Sequence, residues 1–177
     1  MNPSLLLTSF DIWEPHHITN SSDDLLDELT YRKLLPANTH LLRKMPVHFQ
    51  IAPQLVIRAI EHAKPDLIVC CGMAEKRHWL SLEANGKYMG EVVHTTINLE
   101  HLKTQLKFTE ISHDAGLFVC NHLYYTVLKY LQKSAFDCPC LFVHVPALNA
   151  VNTEMLVSDF AQMLDILMQD QVVQSAA

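Results

Sequence analysis

A chain of 177 residues is long enough for one substantial core and short of the length at which two domains are expected. With 49% hydrophobic and only 18% charged residues, its composition is not that of a disordered chain. A formal charge of −6 without any Lys/Arg cluster argues against a nucleic-acid surface and against a polybasic membrane patch.

Short apolar runs alternate with longer segments of helical period, the pattern of an α/β layered fold. Leu5 to Phe10 predicts a first strand, and Ser21-Ser22-Asp23-Asp24 is an N-cap cluster opening a helix that runs to about Arg32. Leu41 to Met45 predicts a second strand, followed by a helix from Ala52 to Ala63 that Lys64-Pro65 ends. Asp66 to Cys71 predicts a third strand leading into a Gly72-Met-Ala turn, while Lys87 to Thr96 fits strand and loop equally well. Ala115 to Leu131 carries the longest helical pattern before the tail, Cys138-Pro-Cys140 reads as a turn, and Cys140 to Val145 predicts a late strand. Asn152-Thr153 opens a last helix with Phe160, Met163, Leu164 and Leu167 on its core side, and the final four residues are expected to fray. Strands this apolar are expected to be covered on both faces, and without a repeat or linker-like tract, residues 1–177 read as one domain.

Leu5-Leu6-Leu7 is too short for a signal h-region, and no window approaches the ~18 apolar residues of a membrane span, so a cytoplasmic protein is expected. Five cysteines at irregular spacing predict reduced thiols rather than a disulfide framework. Eleven histidines, His16-His17 among them, together with Cys138-x-Cys140 raise the question of a metal, but no zinc-type spacing is present and none is assigned.

Two segments carry candidate chemistry. Cys120 follows Asp114-Ala-Gly116 near the start of a predicted helix, where orphan N–H groups and the positive dipole end lower a thiol pKa. His144 lies 24 residues later at the end of an apolar strand, before Val145-Pro146, at the sheet edge where sites gather. Taken alone, a Cys in an apolar helix is more often a core residue, and a His at a strand end is as often held by a backbone carbonyl. Together they suggest a thiol hydrolase. Glu83, in Ser81-Leu-Glu83-Ala, is the candidate to hold the imidazole's tautomer, although its flanking residues equally fit an exposed strand position.

These segments, in this order, resemble the pyroglutamyl peptidase I (pyrrolidone-carboxylate peptidase) family of cysteine peptidases. Ser112-His-Asp114-Ala-Gly-Leu-Phe-Val-Cys120-Asn-His-Leu-Tyr-Tyr125 matches the signature S-x-x-A-G-x-x-x-C-N-x-x-x-Y, and Phe142-Val-His144-Val-Pro146 matches its histidine motif. Leu6-Leu-Thr-Ser-Phe10 and Met45-Pro-Val-His-Phe49 are similar to two further segments, and Glu83 stands eleven residues after Gly72 at the family's spacing. The resemblance implies a three-layer α/β/α sandwich with a mixed, mostly parallel central sheet. It implies a Cys120, His144, Glu83 triad that releases N-terminal pyroglutamate from peptides or small amides through a thioester, with no cofactor. It also implies that Phe10 and Trp13 sandwich the pyrrolidone ring, and that the chain forms a homo-oligomer.

Several positions depart from the family pattern. Ile12 and Glu14-Pro15 replace a proline and two glycines after the first strand, and Glu75-Lys76 replaces the glycines ahead of Arg77. Met73 stands at a substrate-binding position that is often Gln, and the oxyanion-side arginine aligns with Val93, leaving Arg77 and Lys87 as candidate replacements. A homologue that keeps the peptidase fold but serves as a binding or scaffold protein is therefore the competing reading.

Overall fold

The computed structural model describes residues 3–134, 136 and 138–175. In chain order its elements are β1 (Leu5–Phe10), α1 (Ser21–Tyr31), β2 (Thr39–Met45), α2 (Ile51–Ala63), β3 (Leu67–Met73), β4 (Leu80–Glu83) and β5 (Asn85–Tyr88). There follow β6 (Glu91–His94), α3 (Leu99–Gln105), β7 (Thr109–Ser112), α4 (Val119–Lys133), β8 (Cys140–Val145) and α5 (Thr153–Ser175).

Six strands form one mixed sheet in the order β2-β1-β3-β8-β4-β7. Every pairing is parallel except β4 with β8, so β4 and β7 run against the other four. The side-chain period of two sorts the central strands cleanly. Leu5, Leu7, Val69, Cys71, Leu141 and Val143 face α1, α3 and α5, whereas Leu6, Ile68, Cys70, Cys140 and Phe142 face α2 and α4. The result is a three-layer α/β/α sandwich, as expected. Among the described residues, no helix is long and apolar enough to cross a membrane.

Strands β1 and β8 are buried along their length and β3 up to Gly72, with Met73 half-buried at its end, in accord with their apolar runs. The edge strand β2 is mostly exposed or half-buried, because its outer side has no neighbour; Lys44 is exposed there, while Arg43 is half-buried and paired with Asp23 and Asp27. A bulge in β2 opposite Thr8 and Phe10, with Lys44 at φ 51°, turns the chain near the site. The uncertain stretch from Lys87 to Thr96 contains most of a β5–β6 hairpin whose turn, Met89-Gly90, has positive φ at both residues, the geometry that matches strand twist.

Three expectations need correction. The third strand runs through Met73, so Gly72 and Met73 are sheet residues and the turn begins after them. The helix expected from Ala115 starts only at Val119, because Gly116 takes a left-handed φ of 79° that a helix cannot contain. Cys140, read both as the end of a Cys138-Pro-Cys140 turn and as the start of the late strand, is the first residue of β8, so the strand reading from Cys140 to Val145 holds and the turn reading of Cys140 does not. At the C-terminus, Gln174 and Ser175 continue α5, and the last two residues expected to fray lie outside the described residues.

Candidate active site

Strands β1, β3 and β8 end at the same sheet edge, which puts Phe10, Gly72, Met73 and His144 side by side. Gly72 pairs in register with His144, and antiparallel β4 sets Ser81 opposite His144 and Glu83 opposite Phe142. Glu83 and His144 are thereby diagonal neighbours on the face toward α4. His144 Nδ1 and Glu83 Oε1 are 2.6 Å apart, and the carboxylate is fully buried. This fixes which ring nitrogen faces the acid and leaves Nε2 for the cleft.

The carboxylate has further support. Arg77 Nη1 stands 2.8 Å from the same Oε1, at ion-pair distance but not aligned for a hydrogen bond, while Nη2 donates to the Asp114 carbonyl at 3.0 Å. The Tyr124 hydroxyl, buried on α4, donates to the Glu83 backbone carbonyl at 3.0 Å. Burial raises the Glu83 pKa, but the His144 hydrogen bond and charge, the Ser112 hydroxyl and Arg77 more than offset it, so the group is held below its ordinary value.

Cys120 is the second residue of α4, in the first turn. Its Sγ sits against β3 at Gly72, where an added Cβ would come within 2.6 Å of the sulfur. The expectation that the helix terminus lowers the thiol pKa is overturned by its surroundings. Burial first, then the Glu83 carboxylate, push Cys120 up to about 12, against the opposing pull of its own helix N–H and of Arg77. The resting side chain is a thiol, not a thiolate.

Cys120 and His144 line one cavity of about 180 Å³ together with Phe10, Trp13 and Met73. These five candidate residues thus lie on one cavity. Asn20, Val47, Ala115 and Phe118 complete the wall and were not foreseen. Phe118 packs on Trp13 with ring centroids 4.8 Å apart, and it was hidden because the predicted helix ran through it. Asn20 caps α1 by accepting from Ser22 N at 3.0 Å and ties back the Trp13 loop through a bond to the Asp11 carbonyl at 2.9 Å. An N-cap residue looks the same in sequence whether or not it borders a cleft.

Arg77 and Lys87 are not among the residues lining the cavity. Arg77 stands behind Glu83, as described, and Lys87 Nζ is 3.6 Å from Asp114 Oδ1. Val93, at the arginine's aligned position, is buried in the apolar core. The Phe118 side chain provides no cap for α4, and among the described residues no side-chain hydrogen bond caps its first turn.

Residues 88–162 match the family model for pyroglutamyl peptidase. A pyrrolidone-carboxylate peptidase of Brachyspira hyodysenteriae is 24% identical over 87% of this chain and 90% of its own length, and that of Vibrio vulnificus is 28% identical over 81% and 78%. The fold is similar to that of a mutant pyrrolidone carboxyl peptidase from Pyrococcus furiosus, with TM-score 0.79 and 18% identity over 94% of this chain and 99% of the other. Pyroglutamyl peptidase I of Bacillus amyloliquefaciens gives TM-score 0.78 and 18% identity over 96% and 98%. Along most of its length this chain is thus similar in sequence to the pyrrolidone-carboxylate (pyroglutamyl) peptidases, and it shares their fold.

Proposed function

We propose that the protein is a cysteine exopeptidase that removes an N-terminal pyroglutamyl residue from peptides or small amides. The observation that carries this reading is the shared cavity: a thiol, an imidazole oriented by a buried carboxylate, and an aromatic wall of Phe10, Trp13 and Phe118. A flat, largely apolar lactam suits such a wall, with few polar contacts needed to orient it.

Because the resting thiol is protonated, attack is coupled to proton transfer. His144 Nε2 takes the proton as Cys120 Sγ adds to the carbonyl carbon of the scissile amide, and Glu83 stabilises the imidazolium through Nδ1–H. The N–H groups at the start of α4 have no side-chain cap and lie in the same turn as Cys120, and in this reading they are the donors to the developing oxyanion. Collapse breaks the C–N bond, with the proton passing from His144 to the leaving amine. Water then attacks the thioester, giving its proton to His144, and free pyroglutamate leaves with the thiol restored.

Arg77 keeps Glu83 ionised rather than contacting substrate, and Lys87 acts through Asp114 at the rim. The test is hydrolysis of pyroglutamyl-aminomethylcoumarin. Turnover abolished by Cys120→Ala and by iodoacetamide is expected. A well-folded chain with no turnover would instead favour a binding or scaffold role.

A further inference from the structure

Two loops that differ most from the family pattern meet outside the cleft. The β1–α1 loop carries Glu14-Pro15 followed by His16-His17, and the β3–β4 loop carries Glu75. His17 N–H donates to the Glu14 carbonyl at 3.0 Å, closing a turn in which Pro15 occupies the second position that favours its fixed φ. In extended chain, consecutive side chains point apart; this turn brings the two imidazoles together, with centroids 4.2 Å apart.

Both rings address one oxygen. His17 Nε2 lies 3.2 Å and His16 Nε2 3.5 Å from Glu75 Oε2, and the three donor atoms all fall within 4.8 Å of one another. The His17 side chain is only 7% exposed, and its buried Nδ1 has no hydrogen-bond partner. With Nε2 turned to the carboxylate, that nitrogen has no hydrogen-bond partner among the described residues in either tautomer.

We propose that His16, His17 and Glu75 form a site for a divalent transition-metal ion of the zinc class, which links the two loops. Two imidazole nitrogens and one carboxylate oxygen are a donor set for zinc rather than for calcium or magnesium, which take oxygen ligands. Bonds of ~2.0–2.1 Å at a tetrahedral angle put donor atoms about 3.3 Å apart, which the observed 3.2 and 3.5 Å already approach. The fourth position faces solvent beside the exposed His16 and Glu75 and is left for water.

The ion also has a route to the cleft. The His17 ring packs on Trp13 with centroids 5.6 Å apart, and Trp13 lines the cavity. Fixing His17 therefore fixes the outer aromatic of the pocket. This coupling rests on the functional reading above; the binding of metal does not.

Titration of chelator-treated Cys120→Ala chain with Co²⁺ tests the site, because removing the cleft thiol removes its competition for metal. One equivalent is expected, with the visible d–d absorption of four-coordinate cobalt and no sulfur charge-transfer band. Affinity should fall at least tenfold in His16→Ala and in Glu75→Gln, both exposed positions whose folding is checked by circular dichroism. Absence of binding, a sulfur charge-transfer band, or affinity unchanged in both variants would each overturn the proposal. These outcomes are independent of turnover, so an inactive protein that binds cobalt in this way leaves the site standing.

Discussion

A methyl group on Gly72 would lie 2.6 Å from Cys120 Sγ and 2.8 Å from Phe142 Cζ, closer than atoms can approach. Phe142 is fully buried and the sulfur is held by the helix, so neither yields easily. Gly72→Ala is expected to keep the fold and lower kcat/KM by about 10²-fold or more, since an ångström of nucleophile displacement has that effect. Unchanged turnover would show that the thiol has room to move. The height of the thiol pKa makes a separate prediction for the free protein. Alkylation of Cys120 by iodoacetamide should be slow at neutral pH and keep rising past about pH 9, toward the value of about 12 set by burial and Glu83. A rate that levels off near neutrality would instead reveal a preformed thiolate–imidazolium pair. Cys120, His144 and Glu83 were legible in the sequence because their chemistry and spacing match a known pattern. Gly72 was read only as a turn, since its purpose is a contact with a residue 48 positions away.

On the scale of elements, α4 is aimed by the hairpin that the sequence left undecided. The Asn121 side chain accepts from Lys87 N–H at 2.8 Å and donates to the Lys87 carbonyl at 2.8 Å, so it pairs with β5 as a neighbouring strand would. Gly86 lies so close to the helix that an added Cβ would come within 2.4 Å of Tyr125 N. The helix and hairpin therefore form a unit that holds the first turn, and Cys120 with it, against the sheet. Asn121→Ala removes both bonds and leaves partly buried backbone groups unpaired, so a loss of about 1 kcal/mol in stability is expected by urea titration, with a fall in kcat. Asn121→Asp should be no better, because a carboxylate cannot donate to the Lys87 carbonyl. Wild-type stability in both variants would show that the clip is incidental. The long elements were legible because their apolar periods persist over several turns or a whole buried strand. The four-residue β4, β5, β6 and β7 were not, since so short a run carries no decisive period and pairing partners decide its state. The true start of α4 was missed because an apolar pattern continues through Leu117 and Phe118 while the left-handed Gly116 stops the backbone.

For the whole molecule, the buried ionisable groups set two unequal limits on the pH range of stability. On the acid side, Asp23 and Glu83 are held below their ordinary values. For Asp23 burial works the other way and is outweighed by hydrogen bonds from Arg43, at 2.8 Å to each oxygen, and from Ser9 at 2.7 Å. A depressed carboxyl contributes stability that is present above its unfolded value, near 4, and lost as pH falls through its folded value. Asp24, raised chiefly by burial, has the opposite sign and blunts this acid limit. On the alkaline side every shifted buried group acts in one direction. Burial raises Cys71, Cys120, Cys140 and Tyr124, with the Glu83 carboxylate adding to Cys120 and neighbouring thiols adding to the others. Their contribution is complete below the unfolded values of 9.0 for a thiol and 10.0 for a phenol, and it is lost as pH rises toward the folded ones. Each group ionised only in the unfolded chain removes about 1.4 kcal/mol per pH unit, so the three thiols together give a slope of about 4 kcal/mol per unit above roughly pH 9.5. Urea midpoints measured in reducing buffer should therefore hold between about pH 5 and 8.5 and fall more steeply on the alkaline side than on the acid side. Cys120→Ser, which keeps a small side chain in the half-buried position but cannot ionise in this range, should remove about a third of the alkaline slope. A midpoint that stays flat to about pH 10 would mean that these thiols ionise in the folded chain, and the cleft would then hold a ready thiolate instead of a thiol awaiting His144.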